Sequence, residues 1–271
     1  MARSRRSDAS AARRATRTAP AFKYVQSLER GLAVVASFDE HNPEQTLADV
    51  ARATELDRST ARRFLLTLEA LGYVEQRGRY FRLAPRTLSL GYGYLASLPW
   101  WRAAQNISER LTARVGVSSA VGVLDQQNIV YVAYASAGRF PMLMSRTVGT
   151  HLPAFATAIG RVLLSALDAE EMHNRLAATE PEKFTPRTQT DRVELERLLQ
   201  RIGREGFALV DQELEMGLRS LGVPIRNRGG DVVAGLSISL LEVQLPHERI
   251  LKRYLAPLQS AAAEITDSLP A

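Results

Sequence analysis

Arginine and hydroxyl side chains are concentrated in one short stretch of the chain, residues 56–83, at spacings that suit contact with DNA. The stretch reads LDRSTARRFLLTLEALGYVEQRGRYFRL and holds six arginines and three acidic residues, whereas residues 25–85 as a whole hold eight basic and nine acidic residues. An arginine can bind a guanine edge through two parallel hydrogen bonds, or it can neutralise a phosphate. The predicted DNA-contacting side chains are those of Thr46, Arg58, Ser59, Thr60, Arg62, Arg63, Arg77, Arg79 and Arg82.

These arginines also fit a second interpretation, in which they only form the solvent-exposed face of a helix, as helical arginines commonly do. Arg62 and Arg63 taken alone do not decide between the two. The segregation of basic charge onto residues 57–83, next to helices joined by a short turn, favours DNA binding. Glu55 stands at the turn position where this motif commonly has glycine, which leaves the turn geometry open.

Three helices and a hairpin are predicted to position these side chains. The first helix covers residues 25–39, and the second begins at Thr46 with Asp49 as its capping-box partner. Asp57 is the predicted N-cap of the third helix, residues 58–71, and Gly72 ends it. Residues 74–76 and 80–83 flank a tight turn and predict a hairpin. The side chains expected to face the helical core are Ala61, Phe64, Leu65, Leu68 and Leu71, with Leu66 outward.

The chain as a whole is predicted to have two domains. Residues 24–85 form a mostly α winged helix-turn-helix, residues 86–98 a linker helix, and residues 99–271 an α+β domain around an antiparallel sheet. The expected strands of that sheet lie at 118–124, 129–135, 142–148, 207–211, 219–226 and 232–240. Helices are expected at 100–115, 156–168, 169–178, 191–204 and 247–268.

Composition limits the class of protein further. The 271 residues are 45% hydrophobic and include no cysteine, which excludes disulfides and thiol nucleophiles. No apolar run approaches the roughly 20 residues that span a bilayer, and the arginine-rich N-terminus lacks the apolar stretch of a secretory signal. We therefore predict a cytoplasmic protein that makes no membrane contact.

The net charge of +6 belongs to the N-terminal tail. Residues 1–23 hold seven basic residues and one acidic residue, and the rest of the chain holds 28 of each. This tail is predicted to be disordered, and it either contacts phosphates or serves only as a solubilising appendage. Specific DNA binding must therefore rest on local charge in residues 57–83.

The larger domain has no recognisable catalytic constellation. Its histidines, together with His41, show no metal-ligand spacing, and the chain has no nucleophile elbow, phosphate-binding loop or dinucleotide fingerprint. We predict no catalytic residue, no metal and no cofactor. We predict a ligand-responsive DNA-binding regulator that is not an enzyme. The rival interpretations are a ligand-independent architectural DNA-binding protein and an enzyme with an accessory DNA module.

Two features of the larger domain suit a small acid. The stretch GTHLPAFATAIGRVLLSAL, residues 149–167, runs into a small-residue helix start whose free N–H groups favour a carboxylate. Ser237 and Ser239 alternate with aliphatic residues along 232–240, which fits a cavity with a few polar contacts or, equally, a solvent-facing edge.

The order of three sequence blocks resembles the IclR family of bacterial transcriptional regulators. These blocks are STARRFLLTLEALGYV, then GTHLPAFATAIGRVLLSAL, then GFALVDQELEMGLRSLGVPIRNRGGDVVAGLSISL, and the resemblance covers residue 24 to the end. The segment LVDQELEMGLRSLGVPI is similar to the corresponding sequence in the branch of the family that controls aromatic-acid catabolism through the β-ketoadipate pathway. The resemblance implies a GAF-like effector domain, a homodimer or dimer of dimers on double-stranded operator DNA, and a small aromatic or dicarboxylic acid as effector.

The resemblance also implies positions for the effector pocket. The residues carried over are Ala158, Ile159, Ser220, Ser237 and Ser239, with Met142 and Met144 as apolar walls and Asp211 as a polar contact. Some relatives have an aspartate where this chain has Val210, and moving the carboxylate by one residue on a strand turns it to the other side. Val210 therefore favours a more apolar effector. Arg219 is either a carboxylate partner or an ion-pair partner of Glu213 or Glu215.

Overall fold

The structure, a computed structural model, describes residues 24–138, 146–241 and 245–269. The described chain forms two compact units, which meet in the sequence at Leu90 and Gly91. This division lies inside helix α4, Leu88–Ser97, which follows a 3-10 turn at Pro85–Thr87. The assignment of residues 86–98 to a linker between domains stays a prediction.

The first unit contains a helical core and a small antiparallel sheet. Its elements are α1 (Gln26–Ala36), β1 (Glu44–Thr46), α2 (Leu47–Ala53), α3 (Arg58–Ala70), β2 (Val74–Arg77) and β3 (Tyr80–Leu83). The sheet has the order β1-β3-β2. The sequence predicted the hairpin β2–β3 but not β1, which pairs with β3 through Gln45 opposite Phe81. This unit is a winged helix-turn-helix.

Local hydrogen bonds explain where the helices of the turn begin. Thr46 accepts the N–H of Asp49, and the Asp49 carboxylate accepts the N–H of Thr46, so the predicted capping box is present. Asp57 accepts the N–H of Thr60 at 2.9 Å and caps α3. Between the two helices, Glu55 has a φ of 54°. The turn thus has the left-handed geometry that glycine adopts without strain.

The core of the first unit is formed by one side chain or more from each helix and from the hairpin. Its fully covered members are Val34, Val50, Ala61, Leu65, Val74 and Phe81. The prediction that Leu71 faces this core was wrong, because Leu71 follows the last turn of α3 and is 51% exposed. Leu66 is exposed, as the helical periodicity predicted.

The second unit is an α+β domain. After α5 (Trp101–Val115), its strands are β4 (Ser118–Asp125), β5 (Asn128–Ala135), β6 (His151–Pro153), β7 (Ala208–Asp211), β8 (Arg219–Arg226) and β9 (Val232–Leu240). Its other helices are α6 (Ala158–Leu164), α7 (Ala169–Ala177), α8 (Arg192–Glu205) and α9 (His247–Asp267). The strands form one antiparallel sheet in the order β6-β5-β4-β9-β8-β7.

Each face of this sheet has its own layer of helices. Helices α5 and α9 pack on one face, which receives the aliphatic side chains of β8 and β9 such as Leu221, Leu236 and Ile238. Helices α6, α7 and α8 pack on the other face with Ile129, Tyr131 and other side chains. Because successive side chains of a strand alternate between faces, Ser237 lies on the face that α6 covers.

Two predicted elements differ from the structure. The helix predicted at 156–168 is a 3-10 turn, Ala154–Ala156, followed by the short helix α6, since Thr157 is extended and caps that helix. Of the strand predicted at 142–148, residues 142–145 lie outside the described residues, and 146–148 belong to no strand. No helix among the residues that the structure describes is long and apolar enough to cross a membrane.

Candidate nucleic-acid interface and effector pocket

The outward side of α3 carries three arginines that are exposed. Arg58, Arg62 and Arg63 are exposed, whereas Ala61 and Leu65 of the same helix are fully buried. Within the described residues, none of these three guanidinium groups makes a hydrogen bond or an ion pair. They are therefore available to a duplex placed along the N-terminal half of α3.

The wing presents two more arginines at its tip. Arg77 ends β2, Arg79 precedes β3, and Gly78 between them has a φ of 60°. Arg79 donates a hydrogen bond to the Tyr80 hydroxyl at 2.8 Å and stacks over its ring at 5.0 Å. Both arginines are exposed, so their charge is open to phosphate.

Two of the predicted DNA contacts have partners within the domain instead. The Thr46 hydroxyl donates to Asp49 at 2.7 Å, which makes it a helix cap. Arg82 is paired across the strands with Glu75, whose carboxylate oxygen lies 2.7 Å from Arg82 Nη2. Both groups therefore have partners within the described residues, and their contact with DNA stays a prediction.

The Ser59 hydroxyl and the backbone of Thr60 also have a partner within the domain. The Ser59 hydroxyl donates to Asp57 at 2.6 Å, and the Thr60 N–H donates to the same oxygen at 2.9 Å. These hydrogen bonds, led by that from Ser59, hold the pKa of Asp57 far below its ordinary value. Both residues therefore stabilise the start of α3, and their contact with DNA stays a prediction.

A narrow cavity lies in the second unit between α6 and the sheet. Four of the predicted effector residues line it, namely Ala158, Ile159, Ser220 and Ser237. Its wall also contains Val210, Leu214, Leu218, Thr157, Tyr131 and Arg146. The free space inside is about 10 Å³, enough for about one water molecule.

Arg146 is the charged group among the described residues that line this cavity, and sequence reasoning missed it. Its side chain is 2% exposed, and the guanidinium lies 3.6 Å from a carboxylate oxygen of Glu215. Its Nε and Nη2 atoms are buried and make no hydrogen bond with any residue that the structure describes. A buried guanidinium with unused donors favours an anion beside it.

Tyr131 adds a phenol to the same cavity. Burial raises the pKa of Tyr131, and the nearby charge of Arg146 lowers it in part. Tyr131 is therefore a neutral phenol at ordinary pH, able to donate or accept one hydrogen bond. With the hydroxyls of Ser220 and Ser237, it gives a mainly apolar cavity a few polar groups.

Asp211 lies outside the cavity, which corrects its prediction as an effector contact. It follows Val210 on β7, and adjacent residues of a strand point to opposite faces. Its carboxylate is 2.5 Å from Arg219, 2.9 Å from Arg187 and 3.3 Å from His247. Burial alone would raise the pKa of Asp211, but hydrogen bonds led by that from Arg219 lower it below the ordinary value.

Arg219 has an ion-pair partner that the sequence did not predict. Arg219 pairs with Asp211, which is its direct neighbour on β7. Glu213 instead forms a bidentate pair with the buried Arg161.

The remaining effector predictions have mixed outcomes. Ser239 is two residues beyond Ser237 on β9, about 7 Å further along the strand, and does not line the cavity. Met142 and Met144 lie outside the described residues. The free N–H groups expected at the start of α6 are partly used, since the Thr157 hydroxyl accepts the N–H of Gly160 at 3.1 Å.

Among the described residues, no group of three or more histidine, aspartate or glutamate side chains is arranged to hold a metal ion. The chain combines a winged helix-turn-helix unit, which carries exposed arginines, with a sheet domain. That domain contains a small cavity lined mainly by apolar side chains and by a few polar ones. This combination defines a class of two-domain transcriptional regulators.

Comparison with known proteins names the family. Residues 27–78 match the family described as IclR helix-turn-helix domain, and residues 92–267 match Bacterial transcriptional regulator IclR C-terminal. The chain belongs to the IclR family of bacterial transcriptional regulators. The relatives with curated names are called regulators, so this chain is a DNA-binding regulator and not an enzyme.

Three similar proteins cover nearly the whole chain. The Pca regulon regulatory protein of Pseudomonas putida is 34% identical over 246 residues, 91% of this chain and 84% of that protein. A candidate transcriptional regulator from Rhodococcus sp. RHA1 has a solved structure with 45% identity and a TM-score of 0.79, covering 91% of this chain and 98% of that one. An IclR homolog from Microbacterium hydrocarbonoxydans, solved in complex with 4-hydroxybenzoate, has 26% identity and a TM-score of 0.77, covering 90% and 98%.

Proposed function

We propose that this regulator controls a catabolic operon and that its DNA binding responds to a small organic acid, an aromatic monocarboxylate being the favoured class. The observation that carries the proposal is Arg146, a buried guanidinium that lines the cavity with Nε and Nη2 unbonded among the described residues. A carboxylate placed there would accept charge-assisted hydrogen bonds from these nitrogens. The apolar walls, among them Val210 and Ile159, would cover an aromatic ring.

The complex of the Microbacterium homolog with 4-hydroxybenzoate supports the aromatic class over a dicarboxylate. So does the single arginine of the described cavity wall, since a dicarboxylate would bring a second charge without a second cation. Tyr131, Ser220 and Ser237 offer polar partners for a ring substituent. The residues proposed for DNA contact are Arg58, Arg62, Arg63, Arg77 and Arg79.

We further propose that the regulator binds a pseudo-palindromic operator as a homodimer or a dimer of dimers. Support comes from α1 and the residue before it, where Val25, Leu28 and Leu32 are 59%, 63% and 55% exposed at helical spacing. An apolar stripe of this kind on a described surface favours contact with a second subunit. The molar mass in solution, measured by light scattering with and without operator DNA, tests this part of the proposal.

A second candidate is a ligand-independent DNA-binding protein, which the small size of the cavity favours. Thermal-shift measurements with hydroxybenzoates and dicarboxylates separate the two, because a ligand that binds only the folded protein raises its melting temperature by mass action. The acid that raises it is then added to a titration of a labelled DNA fragment from the adjacent promoter. We expect a hydroxybenzoate to shift both measurements. A melting temperature and DNA affinity unchanged by every acid would favour the second candidate.

A further inference from the structure

A second recess lies on the same face of the sheet, at the opposite end of α6 from the cavity that Arg146 lines. Helices α6 and α8 both end at it, and β8, β9 and the turn between these strands complete its wall. Its free space is about 360 Å³, within the range of about 300–1,000 Å³ in which proteins hold small molecules. We infer that this recess, here called the α6–α8 cleft, is a second ligand site and binds a small free α-amino acid. The inference goes beyond the proposed function and does not depend on it.

The α6–α8 cleft and the cavity share a helix and a strand but no lining residue. On α6 and just after it, Ala158 lines the cavity and Ser165 lines the cleft. On β8, Ser220 lines the cavity, and Arg226 lines the cleft six positions later. Between the two spaces the start of α6 lies directly on the sheet, since a Cβ atom at Gly222 would stand 2.9 Å from the carbonyl carbon of Ala158. A ligand in the cleft therefore leaves the cavity open to the effector.

Two opposite charges line the cleft, and among the described residues they form no ion pair with each other. Arg226 Nη1 donates to the carbonyl of Gly230 at 2.8 Å, which holds the guanidinium at the cleft and leaves its other nitrogens for a ligand. The Asp231 carboxylate accepts one hydrogen bond, from the side chain of Asn227 at 3.0 Å, and has further acceptor capacity. A ligand that carries both a carboxylate and an ammonium group complements both charges with charge-assisted hydrogen bonds.

The end of α8 adds partial negative charge to the same space. Helix α8 ends at Glu205, and the N–H of Gly206, whose φ is 75°, donates to the carbonyl of Ile202 at 2.8 Å. The carbonyl of Gly203, a residue that lines the cleft, accepts no backbone hydrogen bond from the described part of the chain. Carbonyl groups at the C-terminus of a helix favour a cation. The end of α8 therefore supports Asp231 in stabilising an ammonium group.

The rest of the wall restricts the side chain of such an amino acid. Its apolar part is formed by Val162, Ile202, Pro224 and Val232. Apart from Arg226 and Asp231, none of the described residues that line the cleft is charged. An acidic or basic ligand side chain would therefore bring a charge that has no partner, whereas a small aliphatic or hydroxyl side chain can contact the apolar wall. The ligand class is a small neutral α-amino acid.

The test is isothermal calorimetry of the full chain with L-alanine, L-serine and L-valine as probes. We expect at least one of the three to bind. Two modified forms of that amino acid then separate the contributions of its charges, because the amide lacks the carboxylate and the N-acetyl form lacks the ammonium group. Each form should bind at least about tenfold more weakly, since each loses one set of charge-assisted hydrogen bonds.

Variants of the two charged residues locate the bound amino acid. Arg226→Gln and Asp231→Asn should each weaken its binding at least about tenfold and leave the melting curve unchanged, because both side chains are exposed. Arg226→Lys keeps the positive charge and should bind more tightly than Arg226→Gln. Arg228→Gln, at an exposed arginine of the same turn that does not line the cleft, is the matched control. In wild type, the amino acid should slow hydrogen exchange of the amides of residues 226–232.

Three results would each overturn this inference. The first is that wild type binds none of the three amino acids. The second is that the amide and the N-acetyl form bind as tightly as the free amino acid, which would mean that its two charges are not recognised. The third is that Arg226→Gln and Asp231→Asn both bind with wild-type affinity, which would place the amino acid outside the α6–α8 cleft.

Discussion

Gly160 lies directly against the backbone of Ala154, the residue that starts the 3-10 turn before α6. A Cβ atom at position 160 would stand 2.2 Å from the carbonyl oxygen of Ala154 and 2.3 Å from its Cα. The neighbour is backbone, and Ala154 itself is 1% exposed, so neither side can yield easily. This contact sets how closely the start of α6 approaches the preceding turn, and with it one wall of the cavity.

Gly160→Ala should therefore destabilise the second unit by about 3 kcal/mol or more, or prevent its folding, because overpacking against backbone cannot be relieved by a rotamer change. The matched control is Gly91→Ala in helix α4, where a Cβ would meet nothing within 4 Å. Helix propensity predicts that this control gains up to about 1 kcal/mol. Calorimetric melting of the two full-length variants compares them. Equal stability of both with wild type would contradict the contact at Ala154.

Replacing Arg62 and Arg63 together with alanine should remove specific DNA binding without unfolding the protein. Both side chains are exposed and unpaired among the described residues, and an arginine that reads a base is worth about 1–3 kcal/mol. We expect at least a hundredfold loss of affinity for the promoter fragment in fluorescence anisotropy, with an unchanged melting curve. Arg201→Ala/Arg204→Ala on α8 is the charge-matched control. Retained affinity of the first variant at physiological salt would refute the assignment of α3.

Glu55→Gly should stabilise the first unit, since Glu55 has a φ of 54°, where a side chain is strained. The gain should be about 0.5–1 kcal/mol after the extra entropy of unfolded glycine is subtracted. Gly78→Ala, at a φ of 60° in the wing, is the reverse experiment and should lose stability. The free energy of unfolding of both variants is measured by denaturant titration and by hydrogen exchange of the α3 amides. A loss in Glu55→Gly would mean that contacts of the glutamate outweigh the backbone strain.

Asp57 should make the stability of α3 depend on pH in the acid range. Its pKa in the folded chain is lowered from an ordinary value of 3.8, so its stabilising effect is complete above that value and is lost as the pH falls below it. The difference between wild type and Asp57→Ala should therefore shrink between about pH 5 and pH 2. Asp57→Ser keeps an uncharged cap and should show no such pH dependence relative to alanine. The measurement is the opening free energy of α3 amides by hydrogen exchange.

Ser237→Leu should weaken the response to the effector and leave DNA binding unchanged, because Ser237 is 4% exposed and lines the cavity. The smaller substitutions Ser237→Ala and Ser239→Ala compare a residue that lines the cavity with one on the same strand that does not. Only the change at 237 should alter the dose of acid that shifts DNA affinity. Identical dose responses for all three variants would count against the cavity as the effector site.

The features that could be predicted from the sequence are those that depend on neighbouring residues. The caps at Thr46 and Asp57 and the helix end at Gly72 are set by side chains within three positions of the element they bound. Strand alternation likewise separates Val210 in the cavity wall from Asp211 outside it. Strand β1 escaped prediction because its three residues are extended only through pairing with β3, some 35 positions away.

Arg146 could not have been found in the same way. It stands in the segment 142–148, which the sequence predicted as a strand, but arginine is a residue type that is seldom fully buried. Its environment is formed by Glu215, almost 70 positions later, and by the sheet that forms one side of the cavity.

The order of the described strands in the second unit bears on how its sheet avoids uncontrolled edge-to-edge pairing with other chains. The two outermost strands, β6 and β7, have only three and four residues, and β6 ends in Pro153, which has no N–H to offer. The long, apolar strands β8 and β9 each have a neighbour on both sides. An incoming extended chain would therefore find little ladder to continue, and accidental fibre-like stacking of this sheet is disfavoured.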